Sequence, residues 1–513
     1  MKIKTVKLHN FRSYKDVAIN FDDLTAFVGK NDIGKSTILE ALDIFFNESK
    51  GVVKFDESDR NIEAKGNGDS SLSITVEFCD LPEEVVLDST AKTSFQQEYM
   101  LNKSGNLEII KYYPNSTKCE MRILAMQPTM PGGEKLINLT NKDLKALAKA
   151  QNIECENTSS NPCLRHAIWD ALGNTDNMQE VEIELNSTDG KKIAETLQKL
   201  LPSYALFQSD RSNSESDKEI QDPLKSSVKR LMKGDGIQEQ LDEIAKHARK
   251  CLEEVANKTI AKLKELDPRL ANSLKPIIPD TNQLKWEDVF KNVSITGADN
   301  IPLNKRGSGV RRMILLSFFR AEAERVSNEK GDRGIIYAIE EPETSQHGEN
   351  QKLLIDAFKS LSGIGSQIII TTHSSQVVKR LQFENVRLIT DENGDRAVVK
   401  VEKDLLPIPS LNEVNFLAFG DISEEYHIEL YSHIFSMNWV KEMEKGLTMY
   451  TYIQQDPKDK NKTTERHISL PEKLRHMMHH RENTHNRMYS KDELKQSIEI
   501  MRAFLLAKKA END

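Results

Sequence analysis

Residues 29 to 37 read Gly-Lys-Asn-Asp-Ile-Gly-Lys-Ser-Thr, set between an apolar run, Leu24 to Val28, and a helical pattern from Ser36 to Phe46. Strand, glycine-bearing loop and helix in that order fit G-x-x-x-x-G-K-[ST], a pattern that belongs at the carboxyl edge of an α/β sheet. Gly29 and Gly34 let the backbone curl so that its N–H groups point at phosphate oxygens, and the positive end of the following helix adds to that attraction. Within the loop, which also holds Asn31 and Thr37, Lys35 is expected to reach the β- and γ-phosphates and the Ser36 hydroxyl to sit on Mg²⁺. The sequence therefore predicts a nucleoside triphosphate site.

Two further apolar runs, Ile335 to Ile339 and Ile368 to Ile370, are uninterrupted and of strand length, as fully buried parallel strands are. Gln351 to Leu361 between them has helical spacing, so the three form a βαβ unit. Near the N-terminus, Ile3 to Leu8 and Asp16 to Phe21 read as paired strands around the turn Phe11-Arg12-Ser13-Tyr14. Ser73 to Phe78 is a further strand, and Tyr204 to Phe207 is expected to be a central strand ending in a functional loop. The second half of the chain thus returns to a sheet begun by the first.

The acidic run Glu340-Glu341-Pro342-Glu343 follows the first of these buried strands directly. Carboxylates at the carboxyl ends of parallel strands lie beside bound phosphates. Glu340 is assigned to the metal, and Glu341 to orienting the attacking water. The second buried strand ends in Thr371-Thr372-His373-Ser374, which places His373 where it can reach the γ-phosphate or that water.

These residues resemble a known family. Loop Gly29 to Thr37, the pair Glu340-Glu341 and His373 are similar to the Walker A, Walker B and switch histidine of ABC-type ATPases, in the branch of SMC, RecF and OLD-like proteins. The run Glu340 to His347 matches the E-E-P-E-x-x-x-H of OLD-like members. The resemblance implies an α/β, ABC-type ATPase head with a mixed, largely parallel sheet that binds ATP and Mg²⁺. It also places a signature motif at Arg306 to Arg312, where Ser308 and Gly309 would contact the γ-phosphate of ATP held by the opposite subunit, although the wording departs from L-S-G-G-E. Arg12 resembles the family arginine that approaches the nucleotide, and Gln208 is a candidate Q-loop glutamine. A site completed by a second head implies a homodimer or a larger even-numbered assembly.

The expected organisation is an N-terminal part of the head over 1–220 with an inserted α+β section at about 85–200, a helical arm over 221–285, the rest of the head over 286–403, and an all-α domain over 404–513. The arm rests on Ile237, Leu241, Ile244, Ala248, Leu252 and Val255 at spacings of three and four; its register drifts, which favours a packed helix over a coiled coil. At 513 residues the chain exceeds one core, since single cores stop growing near ~250–300 residues. The net charge of −9 argues against a uniformly basic nucleic-acid coat but leaves room for a local groove. No apolar run approaches the ~18 residues of a membrane span, so a cytoplasmic protein without membrane contact is expected.

Seven of the twelve histidines lie beyond residue 405, densest in Leu474 to Asn483 on an expected helix. Three readings compete for this cluster. Arg475 and His480 match the R-x4-6-H pattern of HEPN-like ribonucleases; His476 and His480 share a helical face and could hold a metal; or the helix is solvated or binds a partner. The resemblance as a whole implies an ATPase whose ATP-driven head pairing senses, cages or activates a nuclease or toxin encoded nearby, as in anti-phage and abortive-infection systems. Two alternatives stand beside it: a self-contained toxin with a C-terminal ribonuclease, and a RecF-like clamp on DNA. Either would bring DNA or RNA to the chain.

Overall fold

The computed structural model describes residues 1–208 and 334–512, apart from 49–50, 88–90, 129–134, 173–177, 186, 345–347, 363–365, 393–394, 402–404, 407–409 and 457–461, together with the single positions 243 and 250. The expected arm, Ser308, Gly309 and His347 lie outside the described residues.

Two six-stranded sheets organise the main unit. The first contains β1 (Lys2–Phe11), β2 (Tyr14–Asn20), β4 (Leu72–Cys79), β5 (Leu107–Tyr113), β6 (Glu120–Pro128) and β7 (Met178–Glu184), in the order β2-β1-β4-β5-β6-β7 and antiparallel throughout. Strands from the 85–200 section therefore extend the sheet that the N-terminal strands begin. The second contains β3 (Leu24–Val28), β8 (Ser203–Phe207), β9 (Ile335–Glu340), β10 (Ser366–Thr372), β11 (Val386–Glu392) and β12 (Asp395–Lys400), in the order β12-β11-β3-β10-β9-β8. All its neighbours are parallel except β11 and β12, which form a hairpin. Tyr204 to Phe207 forms a strand as expected, but at the edge of this sheet beside β9 rather than at its centre.

Helix α1 (Lys35–Asn47) packs into the core between the two sheets. Its pattern is apolar on more than one face: Ile38, Leu39, Leu42, Ile44, Phe45 and Phe46 are all buried. Phe46 meets Phe78 of the antiparallel sheet edge-on at 5.9 Å and stacks on Tyr204 of the parallel sheet at 5.3 Å. The Tyr204 hydroxyl donates to the Leu39 carbonyl at 2.6 Å. Each such side chain contributes about 1.5–3 kcal/mol on burial, so α1 is anchored by its middle and its C-terminal half. Its N-terminus is left to the loop that precedes it.

The chain from Leu405 onward builds a separate core. Helix Glu424–Ser436 contributes Tyr426, Leu430 and Ile434, helix Leu470–His479 contributes Leu474 and Met478, and helix Lys491–Asn512 contributes Leu494, Ile498, Met501 and Leu505. The expected bundle-forming face of the last helix is thus the buried one. A hairpin of β13 (Met449–Gln455) and β14 (Thr463–Ser469) interrupts the helices, which the sequence reading did not anticipate. Tyr450, Thr451, Tyr452 and Ile453 favour strand, but the run is short and surrounded by charge. The outer edge of β13 is closed by side chains: Asn486 Oδ1 accepts from Ile453 N at 2.9 Å, and Asn483 and Asn486 both donate to Ile453 O at 2.8 Å. Among the described residues, no helix is long and apolar enough to cross a membrane.

His427 sits fully buried in this core, its Nε2 2.9 Å from Ser497 Oγ, and burial lowers its pKa to about 4. Below the ordinary histidine value of about 6.5 the unfolded chain takes up a proton that the folded chain refuses, so this contribution to stability is present above pH 6.5 and is lost as pH falls towards 4. The full shift corresponds to about 3 kcal/mol. Thermal unfolding monitored between pH 7 and 4 is expected to show a falling Tm, and His427→Gln is expected to flatten that slope.

Candidate nucleotide site

The parallel ladders set the site. Thr372 pairs with Val28, so His373 stands level with Gly29; Thr371 pairs with Glu340, so Glu341 leaves β9 at the same height. Phe207 pairs with Ile339, which brings Gln208 level with Glu340. Stretches of chain more than three hundred residues apart thus deliver the phosphate loop, two carboxylates and an imidazole to one edge of one sheet.

The loop itself is built for an anion. Gly34 caps α1 at φ 101°, a left-handed conformation that favours glycine, and a Cβ there would stand 3.0 Å from both the Tyr14 hydroxyl and Arg396 Nη1. At Gly29 a Cβ would meet Ile33 Cγ2 at 2.9 Å and the Ile389 carbonyl at 3.2 Å. The first turn of α1 has no acidic residue and no side-chain cap, so its N–H groups and dipole are uncompensated. Tyr14 Oη donates to the Gly34 carbonyl at 3.1 Å, and Arg396 Nη1 donates to Ser13 Oγ at 2.7 Å, bracing the loop from the β1–β2 turn and from β12.

Lys35 is buried and donates to the carbonyls of Gly29 and Lys30 at 2.9 and 2.7 Å. Burial lowers its pKa, and the fields of Glu341, Glu343 and Asp32 oppose that shift. Ser36 opens the same helix, and Glu340 is buried at the end of β9. A hydroxyl and a carboxylate beside an anion cradle are a hard oxygen donor set that fits Mg²⁺. Ser36 and Glu340 would hold the ion, which would supply charge neutralisation on the phosphates.

Glu341 has φ 41°, a strained conformation for a residue other than glycine, which costs of order 1–3 kcal/mol. Its N–H is held by the Thr371 carbonyl at 3.0 Å and the Thr371 hydroxyl at 3.2 Å, and its Oε1 lies 2.9 Å from His373 Nδ1. The two residues assigned to the water and the γ-phosphate are therefore in direct contact. Arg12, itself at φ 49°, donates through Nε to Asp59 at 2.7 Å and through Nη1 to Glu40 on α1. Gln208 Nε2 donates to the other Glu40 oxygen at 3.0 Å. Glu40 thus holds both side residues of the site; in sequence it looks like one more helix charge. Glu343, Tyr14 and Arg396 likewise carry no site signal of their own in sequence, although Glu343 falls within the E-E-P-E run.

In the C-terminal region, the Arg475 guanidinium lies over the rings of Tyr431 and Phe435, at 5.2 and 5.7 Å. His480 is the exposed C-cap of its helix, with Nδ1 3.3 Å from Glu482 Oε1. His476 is stacked between Tyr452 and His480, and its pKa falls to about 4 through burial and then the neighbouring Arg475. The rings of His476 and His480 lie face to face, and no group of three His, Cys, Asp or Glu side chains able to hold a metal occurs among the described residues.

Comparison with known proteins gives this site a family. Endonuclease GajA of Bacillus cereus (strain HuB5-5) is 24% identical over 550 aligned positions, spanning 92% of this chain and 72% of the relative. OLD nuclease of Thermus scotoductus (strain ATCC 700910 / SA-01) is 22% identical over 412, spanning 78% of this chain but only 64% of the relative. Among solved structures, an SMC head bound to the C-terminal winged-helix domain of ScpA matches at 15% identity, covering 78% of this chain and 98% of that one, with a TM-score of 0.36. The SMC head domain from Thermotoga maritima matches at 13% identity, covering 79% and 100%, with a TM-score of 0.33. A family model for an AAA ATPase domain matches residues 1–378, from the first strand past His373, and the chain belongs to the AAA ATPase domain family.

Proposed function

We propose that this ATPase is a nucleotide-driven switch in which ATP joins two heads and their pairing controls a nuclease effector in defence against phage. The observation that carries the reading is the levelled strand edge: Lys35 in the phosphate loop, Glu340 for the metal, and Glu341 in contact with His373. Glu341 polarises the attacking water, and His373 orients Glu341 and follows the γ-phosphate. Ser308 and Gly309 are the proposed donors from the opposite head, so the γ-phosphate is the bond between the two. The resemblance to OLD-like ATPases and the nuclease names of both relatives support nucleic-acid cleavage as the activity that the switch controls.

A second reading keeps the nuclease within the chain. It is favoured by the placement of Arg475 over two aromatic rings and of His480 at an exposed helix end, which leaves the imidazole accessible to a phosphodiester.

Three outcomes test these readings. Lys35→Ala is expected to weaken ATP binding at least tenfold in calorimetry, since it removes a cation from the phosphates. Glu341→Gln is expected to keep binding, lose ~10²–10⁴-fold in turnover, and run as an ATP-dependent dimer in sedimentation; normal turnover, or a protein that stays monomeric with ATP bound, would sink the switch. For the second reading, Arg475→Ala or His480→Ala would abolish RNA cleavage or toxicity while ATP turnover persists. Toxicity that depends instead on a separate nuclease would leave the C-terminal helices a partner surface.

A further inference from the structure

We propose that Glu343 is the positioning residue of this site, holding the end of β10 so that His373 meets Glu341; the inference rests on the ATPase reading above and deepens it. Glu343 is buried to 5% exposure, three residues beyond β9. Its Oε1 accepts from the Thr372 hydroxyl at 2.7 Å and from the His373 backbone N–H at 3.2 Å, and stands 3.8 Å from His373 Nδ1. One oxygen therefore gathers the last residue of β10 and the first residue beyond it. Glu341 and Glu343 approach the same imidazole nitrogen from one short acidic run, at 2.9 and 3.8 Å.

The other oxygen, Oε2, is buried without a hydrogen-bond partner among the described residues. A buried carboxylate with one oxygen unsatisfied is destabilising unless its charge is suppressed or a ligand completes it, so support of the fold alone does not account for it. Burial raises the Glu343 pKa, and the hydrogen bonds from Thr372 and His373 N only partly offset this. The geometry makes Glu343 a clamp between the two strand ends. Because β9 and β10 are neighbours in register, the clamp fixes the separation of Glu341 from His373.

Steady-state ATP hydrolysis and binding of a non-hydrolysable ATP analogue, measured on the full chain, separate positioning from mere support of the fold. Glu343→Ala is expected to lower kcat by about tenfold to a hundredfold, in line with loss of supporting hydrogen bonds elsewhere, with analogue affinity changed less than about threefold. Glu343→Gln keeps an acceptor oxygen for Thr372 and His373 N, and is expected to restore kcat to within a few-fold of the parent. Thr372→Val, which removes one donor at nearly constant volume, is expected to show a smaller loss of kcat with the same unchanged affinity, and serves if Glu343→Ala does not fold. Equal loss in the Ala and Gln variants, unchanged kcat in Glu343→Ala or Thr372→Val, or affinity falling in step with kcat would overturn the proposal. Glu341→Gln run alongside separates the two levels. If it turns over normally the ATPase reading fails; if it is dead while Glu343→Ala is active, only the clamp fails.

Discussion

Everything at this site depends on the register of three parallel strands. Parallel ladders do not slip by one residue without turning every side chain to the opposite face, and β9 and β10 are packed on both faces, so a slip would force both layers of the core to repack. The pairs Val28 with Thr372 and Thr371 with Glu340 are therefore fixed by the core, and the chemistry follows from the residues that come next in each strand. Gly29, Glu341 and His373 do not need to find each other; the apolar runs behind them do that. Hydrophobic burial of Ile335 to Ile339 and Ile368 to Ile370 is in this sense the first step of the mechanism.

Much of this was legible in the sequence because it is local chemistry. Glycines before Lys-Ser, an acidic pair directly after an apolar run, and a histidine directly after another each signal a strand end without any knowledge of partners. What was not legible is pairing across distance. Glu343 falls inside the E-E-P-E motif, but its contacts are with Thr372 and His373, about thirty residues away, and its burial is not one that a charged residue beside proline advertises. Glu40 reads as an exposed helix charge until Arg12 and Gln208 are seen on its two oxygens. The antiparallel sheet was hidden for the same reason. β5, β6 and β7 are short alternating runs among polar stretches, and only their shared core with β1 and β4 shows that they are one layer.

The hairpin after residue 448 shows a different limit. Its strands have the right residue types, yet their outer edge is satisfied by the amides of Asn483 and Asn486 rather than by another strand. Those asparagines lie just past the histidine-rich helix and look like ordinary loop residues. Side chains that imitate a neighbouring strand leave no periodicity to read, so an edge protected in this way is invisible before the fold is known.

The position of Glu40 adds a mechanical link to the chemical one. It lies one helical turn beyond Ser36, so a phosphate or ion engaging the start of α1 acts on the same rigid element that holds Arg12 and Gln208. The aromatic contacts of Phe46 and the Tyr204 hydroxyl bond to Leu39 fix that helix against both sheets, which denies it independent motion. Lys35 must also exchange its bonds to Gly29 and Lys30 for bonds to phosphate, a trade between similar partners that needs little reorganisation of the loop. One helix thus carries the phosphate-loop lysine at its start and, about one turn on, the carboxylate that holds side chains of the β1–β2 turn and the end of β8.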